Sequence, residues 1–259
     1  MTMTEATLRV SGVTKFYGGV QALAGVDLEL HAREVVGLIG QNGAGKTTLV
    51  DVICGATEPT DGRVDLGGRA VKGGASSRAR HGFARTFQYP QVAAGLSVRD
   101  NLLLGYWGVR CGGPARIVDS VWRGIVFGRT STGLAEVADV AARCGLHELD
   151  QPAGDLLLSE QRLLEVARAL LSDPTVLLLD EPFAGADGAS VNVILGAIRT
   201  ARDAGCAVLL VDHNVDLVAR ASDRVALMHQ GKIAVHGTPD ECLASDVVRQ
   251  VYLGQGVDG

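Results

Sequence analysis

An apolar pentapeptide, Val35-Val36-Gly37-Leu38-Ile39, runs directly into Gly40-Gln41-Asn42-Gly43-Ala44-Gly45-Lys46-Thr47, which satisfies the pattern G-x-x-x-x-G-K-[ST]. Nothing else in the chain narrows its folding options as much. An unbroken apolar run reads as a strand buried on both faces, the kind found in parallel sheets covered by helices. Glycines after such a strand let successive backbone N–H groups turn inward on a phosphate. A helix starting at about Lys46 and stopping near Gly55 adds the partial positive charge of its N-terminus. The cradle expected for phosphate therefore comprises Gly40, Gln41, Asn42, Gly43, Ala44, Gly45, Lys46, Thr47 and Thr48, with Lys46 reaching the outer phosphate oxygens and the Thr47 hydroxyl ligating Mg²⁺.

A second strand supports this reading. Thr175-Val176-Leu177-Leu178-Leu179 ends in Asp180-Glu181, placing two carboxylates at the strand end where α/β proteins bind ligands. Asp180 reads as a second Mg²⁺ residue and Glu181 as the general base that activates water. Alone, an Asp-Glu pair after a strand often caps the following helix. Beside the glycine-rich loop it gains a chemical purpose.

Residues 7–35 alternate in short runs about Tyr17-Gly18-Gly19, as antiparallel strands with one solvated face do. Another β excursion is expected over 56–72. From about Val98 to Cys144 the pattern turns helical, loosening at Gly108 to Pro114, and 163–171 forms an amphipathic helix. Strands at 175–179, 207–211 and 225–229 alternate with helices near 190–203, 214–220 and 240–252, which predicts a mostly parallel, doubly wound sheet.

Composition excludes several other classes. Of 259 residues, 47 % are hydrophobic, enough for a packed core. The net charge of −5, with no Lys/Arg block longer than two, argues against nucleic acid as a partner. The longest apolar runs fall well short of the roughly 20 residues of a membrane span, and the N-terminus has neither the basic start nor the apolar stretch of an export signal. Five cysteines without C-x-x-C spacing suggest neither a disulfide framework nor a zinc ribbon.

Further residues fall into a recognisable order: Tyr17 before Gly18, Gln88 in Gly82-Phe83-Ala84-Arg85-Thr86-Phe87-Gln88, Ala184-Gly185-Ala186-Asp187, and His213 in Val211-Asp212-His213. Taken singly, Tyr17 reads as a strand aromatic, Gln88 as a surface amide and His213 as a neighbour of a helix N-cap. Taken together with the phosphate loop, they make the sequence resemble the ATP-binding cassette (ABC) family, the ATPase subunits of transporters, nearly end to end. The likeness is greatest to the ATPase subunits of branched-chain amino-acid importers, through Gly43 to Leu49, Gly82 to Gln88, Arg162 to Leu170, Gly237-Thr238-Pro239 and the ending Tyr252-Leu253-Gly254.

The resemblance implies an α/β fold with a P-loop NTPase core, an antiparallel β subdomain and a helical subdomain at about 89–160, all in one nucleotide-binding domain spanning 1–259. It implies that ATP and Mg²⁺ bind, that Tyr17 stacks on adenine, that Gln88 serves the metal and the catalytic step, and that His213 contacts the γ-phosphate. It implies transmembrane permease subunits, a second cassette and, indirectly, a solute-binding protein as partners, at the cytoplasmic face of the cell membrane.

One departure stands out. The family signature L-S-G-G-Q, often L-S-Y-G-[DEQ]-Q in this subfamily, falls without gaps on Leu156-Leu157-Leu158-Ser159-Glu160-Gln161, before a helix expected from Arg162. Leu157 then stands for the serine and Ser159 for a glycine. A rival alignment keeps Leu158-Ser159 as the leading pair and deletes two residues; it is less favoured because deletions are easier in long loops than at a helix N-terminus. In this family Ser159 and Gln161 would face ATP held by the partner cassette. Leu157 has no hydroxyl to offer it, so a heterodimer with an intact cassette is the expected working unit. A regulatory cassette with little turnover and a P-loop enzyme of another class remain the alternatives.

Overall fold

The computed structural model describes residues 6–110 and 131–253. In chain order its elements are β1 (Leu8–Tyr17), β2 (Val20–Leu30), β3 (Val35–Ile39), α1 (Lys46–Cys54), β4 (Asp61–Leu66), β5 (Arg69–Ala70), α2 (Ala75–Arg80), β6 (Phe83–Arg85), α3 (Val98–Arg110), α4 (Ser131–Arg143), α5 (Leu158–Leu171), β7 (Val176–Asp180), α6 (Gly188–Asp203), β8 (Ala207–Val211), α7 (Val215–Ala221), β9 (Arg224–His229), β10 (Lys232–Gly237), α8 (Pro239–Ala244) and α9 (Asp246–Leu253). They form two compact units. The first comprises Met1–Phe83, Thr175–Glu181 and Ala201–Gly259; the second comprises Ala84–Pro174 and Pro182–Thr200.

The first unit is built on two sheets. An antiparallel one has the order β2-β1-β4-β5, and a six-stranded one has the order β10-β9-β3-β8-β7-β6. In the larger sheet β3 lies parallel to both β8 and β9, and β7 parallel to β8. All five residues of each of β3, β7 and β8 are buried, which is why these strands read as continuous apolar runs rather than alternating ones. β1 instead alternates, with Leu8, Val10 and Val13 buried. Its register against β2 shifts after Val10, where Gly12 adopts φ 57° and donates its N–H to Asp27 Oδ1 at 2.8 Å. The core of this unit joins Leu8, Leu23 and Leu30 of the small sheet to Leu38, Leu178 and Leu209 of the large one.

Gly37 lets α7 lie close on β3. A Cβ there would sit 2.3 Å from Val218 Cγ1 and 2.6 Å from Ser222 Oγ.

In the second unit α3, α4 and α5 pack on one another. Gly105 of α3 approaches α5 so closely that a Cβ would lie 2.3 Å from the Arg168 carbonyl oxygen.

Several boundaries differ from those read in the sequence. α3 continues through Gly108 to Arg110, and the rest of the loose stretch expected up to Pro114 lies outside the described residues. α5 begins at Leu158, not Arg162: Glu160 reaches back to accept the Leu157 N–H at 2.9 Å and so caps an extra turn. The helix expected over 240–252 is two helices, separated at Ser245, where the backbone is extended and the Ser245 hydroxyl accepts the Val248 N–H. β10 was not foreseen. It pairs antiparallel with β9 around Gln230 and Gly231, both at positive φ, and its residues alternate between half-buried and exposed.

Candidate nucleotide site

The loop after β3 is shaped by glycines that no other residue replaces without strain. Gly40 has φ 154° and would place a Cβ 2.3 Å from the Met228 carbonyl oxygen. Gly45 has φ 107° and would place one 2.7 Å from the Ala22 carbonyl oxygen. Between them the Ala44 N–H returns to the Gln41 carbonyl at 3.2 Å, and the Gly231 N–H fixes the Ala44 carbonyl at 2.9 Å. α1 then starts at Lys46, as the spacing predicts, and ends at Gly55 in the left-handed region (φ 76°). Gln41, Asn42, Gly43 and Thr47 are exposed, Thr48 is half-buried, and the mouth of the loop faces solvent.

Lys46 folds back over this loop. Its ammonium donates to the Gly40 carbonyl at 2.6 Å and to the Gln41 carbonyl at 3.0 Å. Burial holds the ammonium below the ordinary lysine pKa, against the opposing attraction of Glu181, Asp180 and Asp212. These three carboxyl groups therefore lie within electrostatic reach of Lys46.

Strand pairing explains the convergence. Asp180 ends β7 opposite Val211, the last residue of β8, so Glu181 and Asp212 follow side by side. Asp180 is 4 % exposed and Asp212 1 %. Glu181 takes the left-handed conformation, φ 51°, while its N–H donates to the Val211 carbonyl at 2.7 Å. A non-glycine residue held there stores strain, a condition concentrated at functional sites.

Asp212 was not singled out in the sequence, although a carboxylate directly after the second apolar strand was the available signal. Its Oδ1 accepts the Asn214 N–H at 2.9 Å and lies 3.5 Å from His213 Nδ1. Asn214 caps α7 by accepting the Leu217 N–H. His213, itself exposed, is thus placed at the entry to α7 beside a buried carboxylate. Tyr17 closes β1 as an exposed ring with the Lys15 ammonium 5.0 Å from its centroid.

The other expected residues belong to the second unit. Gln88 is exposed within a segment whose backbone is gripped by α5. Glu165 accepts the N–H groups of Phe87 (3.3 Å) and Gln91 (3.2 Å), Arg162 donates to the Gln88 carbonyl at 2.9 Å, and Arg168 donates to the Gln91 carbonyl. Burial pushes the Glu165 carboxyl up, with the Gln91 and Phe87 N–H groups and the two arginines opposing it. This grip was missed in the sequence, where Arg162, Glu165 and Arg168 figured only within the stretch that carries the family likeness.

Ser159 and Gln161 lie in the first turn of the same helix, with the Gln161 amide donating to the Leu156 carbonyl at 3.0 Å. Leu157 and Leu158 are 70 % and 53 % exposed. In Ala184 to Asp187, Asp187 caps α6 by accepting the Ser190 N–H at 2.8 Å.

A glycine-rich loop between a buried parallel strand and a helix, with carboxylates from the adjoining strand ends, defines a P-loop nucleotide-binding protein. The ABC transporter family model matches residues 23–184. The chain belongs to the ABC transporter family, as an ATP-binding subunit and ATPase. It is 34 % identical, over 98 % of its length and all of the relative's, to the high-affinity branched-chain amino acid transport ATP-binding protein LivG of Salmonella typhimurium. It is 32 % identical to BraF of Pseudomonas aeruginosa, over 98 % of its own length and all of BraF. Among solved structures, the ADP conformation of MJ1267, an ATP-binding cassette of an ABC transporter, superposes with a TM-score of 0.82 at 27 % identity, covering 97 % of this chain and all of that one.

Proposed function

We propose that this chain powers the import of branched-chain amino acids or similar small polar solutes, docked on permease subunits at the cytoplasmic face of the membrane and paired with a second cassette. The convergence of Asp180, Glu181 and Asp212 on Lys46 carries the ATPase part of this reading. The full-length similarity to LivG and BraF supports the cargo class. Among the described residues no helix is long and apolar enough to cross a membrane, so the solute path would belong to the permeases.

The residues present fit Mg²⁺. Among the described residues no three His, Cys, Asp or Glu side chains form a cage of their own, whereas the Thr47 hydroxyl and the Asp180 carboxylate are the oxygen donors that leave room for phosphate ligands. Thr47, Asp180 and Gln88 would hold Mg²⁺, which would supply positive charge against the negative charge developing on the phosphates. Lys46 moves part of its hydrogen bonding from the Gly40 and Gln41 carbonyls to the phosphates. Glu181 orients and deprotonates the attacking water, His213 holds the γ-phosphate, and Tyr17 stacks on the adenine. We read residues 89–160 as the helical subdomain that presents Ser159 and Gln161 to ATP bound by the partner.

The heterodimer follows from Leu157. In a head-to-tail pair this position meets the partner's γ-phosphate, and here an exposed branched alkyl side chain precedes a helix whose first-turn Glu160 already occupies the Leu157 N–H. Loss of one preorganised donor typically costs about 10²–10³ in rate. A pair of identical chains would have two impaired sites, while a partner with an intact signature would complete the site built on Lys46. The same observation favours one second reading, a regulatory cassette with little turnover.

Measured turnover of the purified chain, alone and with candidate partner cassettes, separates these readings. Slow hydrolysis alone, faster with a partner, and faster alone in Leu157→Ser is the expected result. Brisk hydrolysis by the isolated chain, unchanged in Leu157→Ser, would refute the heterodimer. No turnover with any partner would favour the regulatory reading.

A further inference from the structure

Lys15 stands two residues before Tyr17 on β1, the spacing that sets side chains on one face of a strand. It is half-buried, and its ammonium lies 5.0 Å from the centre of the Tyr17 ring. The same ammonium donates to the Glu58 carbonyl at 2.7 Å, in the connection between α1 and β4. Lys15 thus ties the ring to the chain that leaves the phosphate-loop helix.

This part of the fold is held by other bonds. The Phe16 N–H donates to the Thr60 hydroxyl at 3.1 Å, the Thr60 N–H to the Thr14 carbonyl at 2.8 Å, and the Gly25 N–H to the Thr14 hydroxyl at 3.1 Å. They fix β1 against β2 and β4 without the ammonium, so the effect of Lys15 falls on the ring rather than on the hairpin. A cation is drawn to the electron-rich face of an aromatic ring. Held there by a carbonyl, it covers one face of the exposed Tyr17 ring and draws density from the other, which lessens the repulsion that a second stacked ring would meet.

We propose that Lys15 is a positioning residue for the nucleotide base: anchored on Glu58, it occupies one face of Tyr17 and leaves the opposite face to adenine. The proposal rests on the reading of Tyr17 as the adenine-stacking residue and deepens it. Its effect is confined to ligands that carry the base. A ligand made of phosphates alone reaches the loop at Gly40 to Thr48 without meeting the Lys15–Tyr17 pair.

The test measures dissociation constants of the full-length chain for MgATP and for magnesium tripolyphosphate, which has the phosphates and no base. Lys15→Met is expected to weaken MgATP by about two- to fivefold, the range of one exposed cation–π contact, and to leave tripolyphosphate unchanged. Lys15→Arg, which keeps a cation and a donor, should bind both like the parent. On a Tyr17→Ala background, Lys15→Met should add nothing further. Tighter MgATP binding by Lys15→Met would mean that the ammonium blocks the face the base needs, and equal weakening of both ligands would mean that Lys15 acts as a general charge or support; either result overturns the proposal. Tyr17→Ala checks the underlying reading separately. If it weakens MgATP but not tripolyphosphate while Lys15→Met matches the parent, Tyr17 keeps its role and Lys15 loses it; if Tyr17→Ala binds MgATP like the parent, both fall.

Discussion

The Lys46 ammonium rests 2.6 Å from the Gly40 carbonyl, inside the loop that it is expected to share with phosphate. Burial lowers its pKa from 10.5, more than the attraction of Glu181, Asp180 and Asp212 raises it. Between that lowered value and 10.5 the folded chain binds fewer protons than the unfolded one, so this group's contribution to stability rises with pH. Nucleotide binding runs the other way. MgATP affinity is expected to fall on the alkaline side before a free lysine would titrate, and dissociation constants measured from neutrality up to the ordinary lysine range check this.

Glu181 combines a left-handed backbone with a carboxyl near Lys46. Glu181→Gln keeps size and hydrogen bonding but removes the base. Turnover, measured with the partner that supports it, should drop by about 10²–10⁴, while MgATP still binds and the cassette pair accumulates as an ATP-bound dimer on gel filtration. A variant that cycles at the parent rate would remove Glu181 from the catalytic step.

Gly37 faces α7 with no room for a Cβ. Gly37→Ala should destabilise the chain by about 1–3 kcal/mol through overpacking, seen as a melting temperature lowered by several degrees. A matching change at exposed Gly196, where a Cβ meets nothing within 4 Å, should leave the melting temperature unchanged or raised.

Glu165 is buried and anchors the Phe87 to Gln91 backbone. Glu165→Ala leaves two N–H groups without this acceptor and should cost about 1–3 kcal/mol; Glu165→Gln, which retains an acceptor oxygen, should cost less. Because burial raises the carboxyl above its ordinary value of 4.5, the folded state holds the proton longer. Its contribution to stability is present at low pH and declines as pH rises from 4.5 through the raised value. Denaturation profiles across acidic pH should lose that component in Glu165→Gln.

The nucleotide loop was legible because its demands are local: strand, glycines, lysine and hydroxyl are consecutive, and the structure places α1 where the spacing puts it. Asp180 and Glu181 were legible for the same reason, as the abrupt end of an apolar strand. Asp212 was not, since its relevance depends on β7 and β8 lying in register, a pairing between residues about thirty apart. Tyr252 was noted only as part of the ending, and the bond from the Gln41 amide to the neighbouring Val251 carbonyl spans most of the chain and leaves no periodicity to read. The start of α5 was misplaced because leucine is not a capping residue. The cap came from Glu160, three positions on.

α5 carries Leu157 and Ser159 at its tip and, one to three turns along, the Arg162, Glu165 and Arg168 side chains that bind the backbone around Gln88. At about 1.5 Å per residue, the tip and the middle of that clasp are roughly 10 Å apart on one rod. The backbone around Gln88 and the exposed Leu157 are therefore attached to one continuous helix, the first along its flank and the second at its tip.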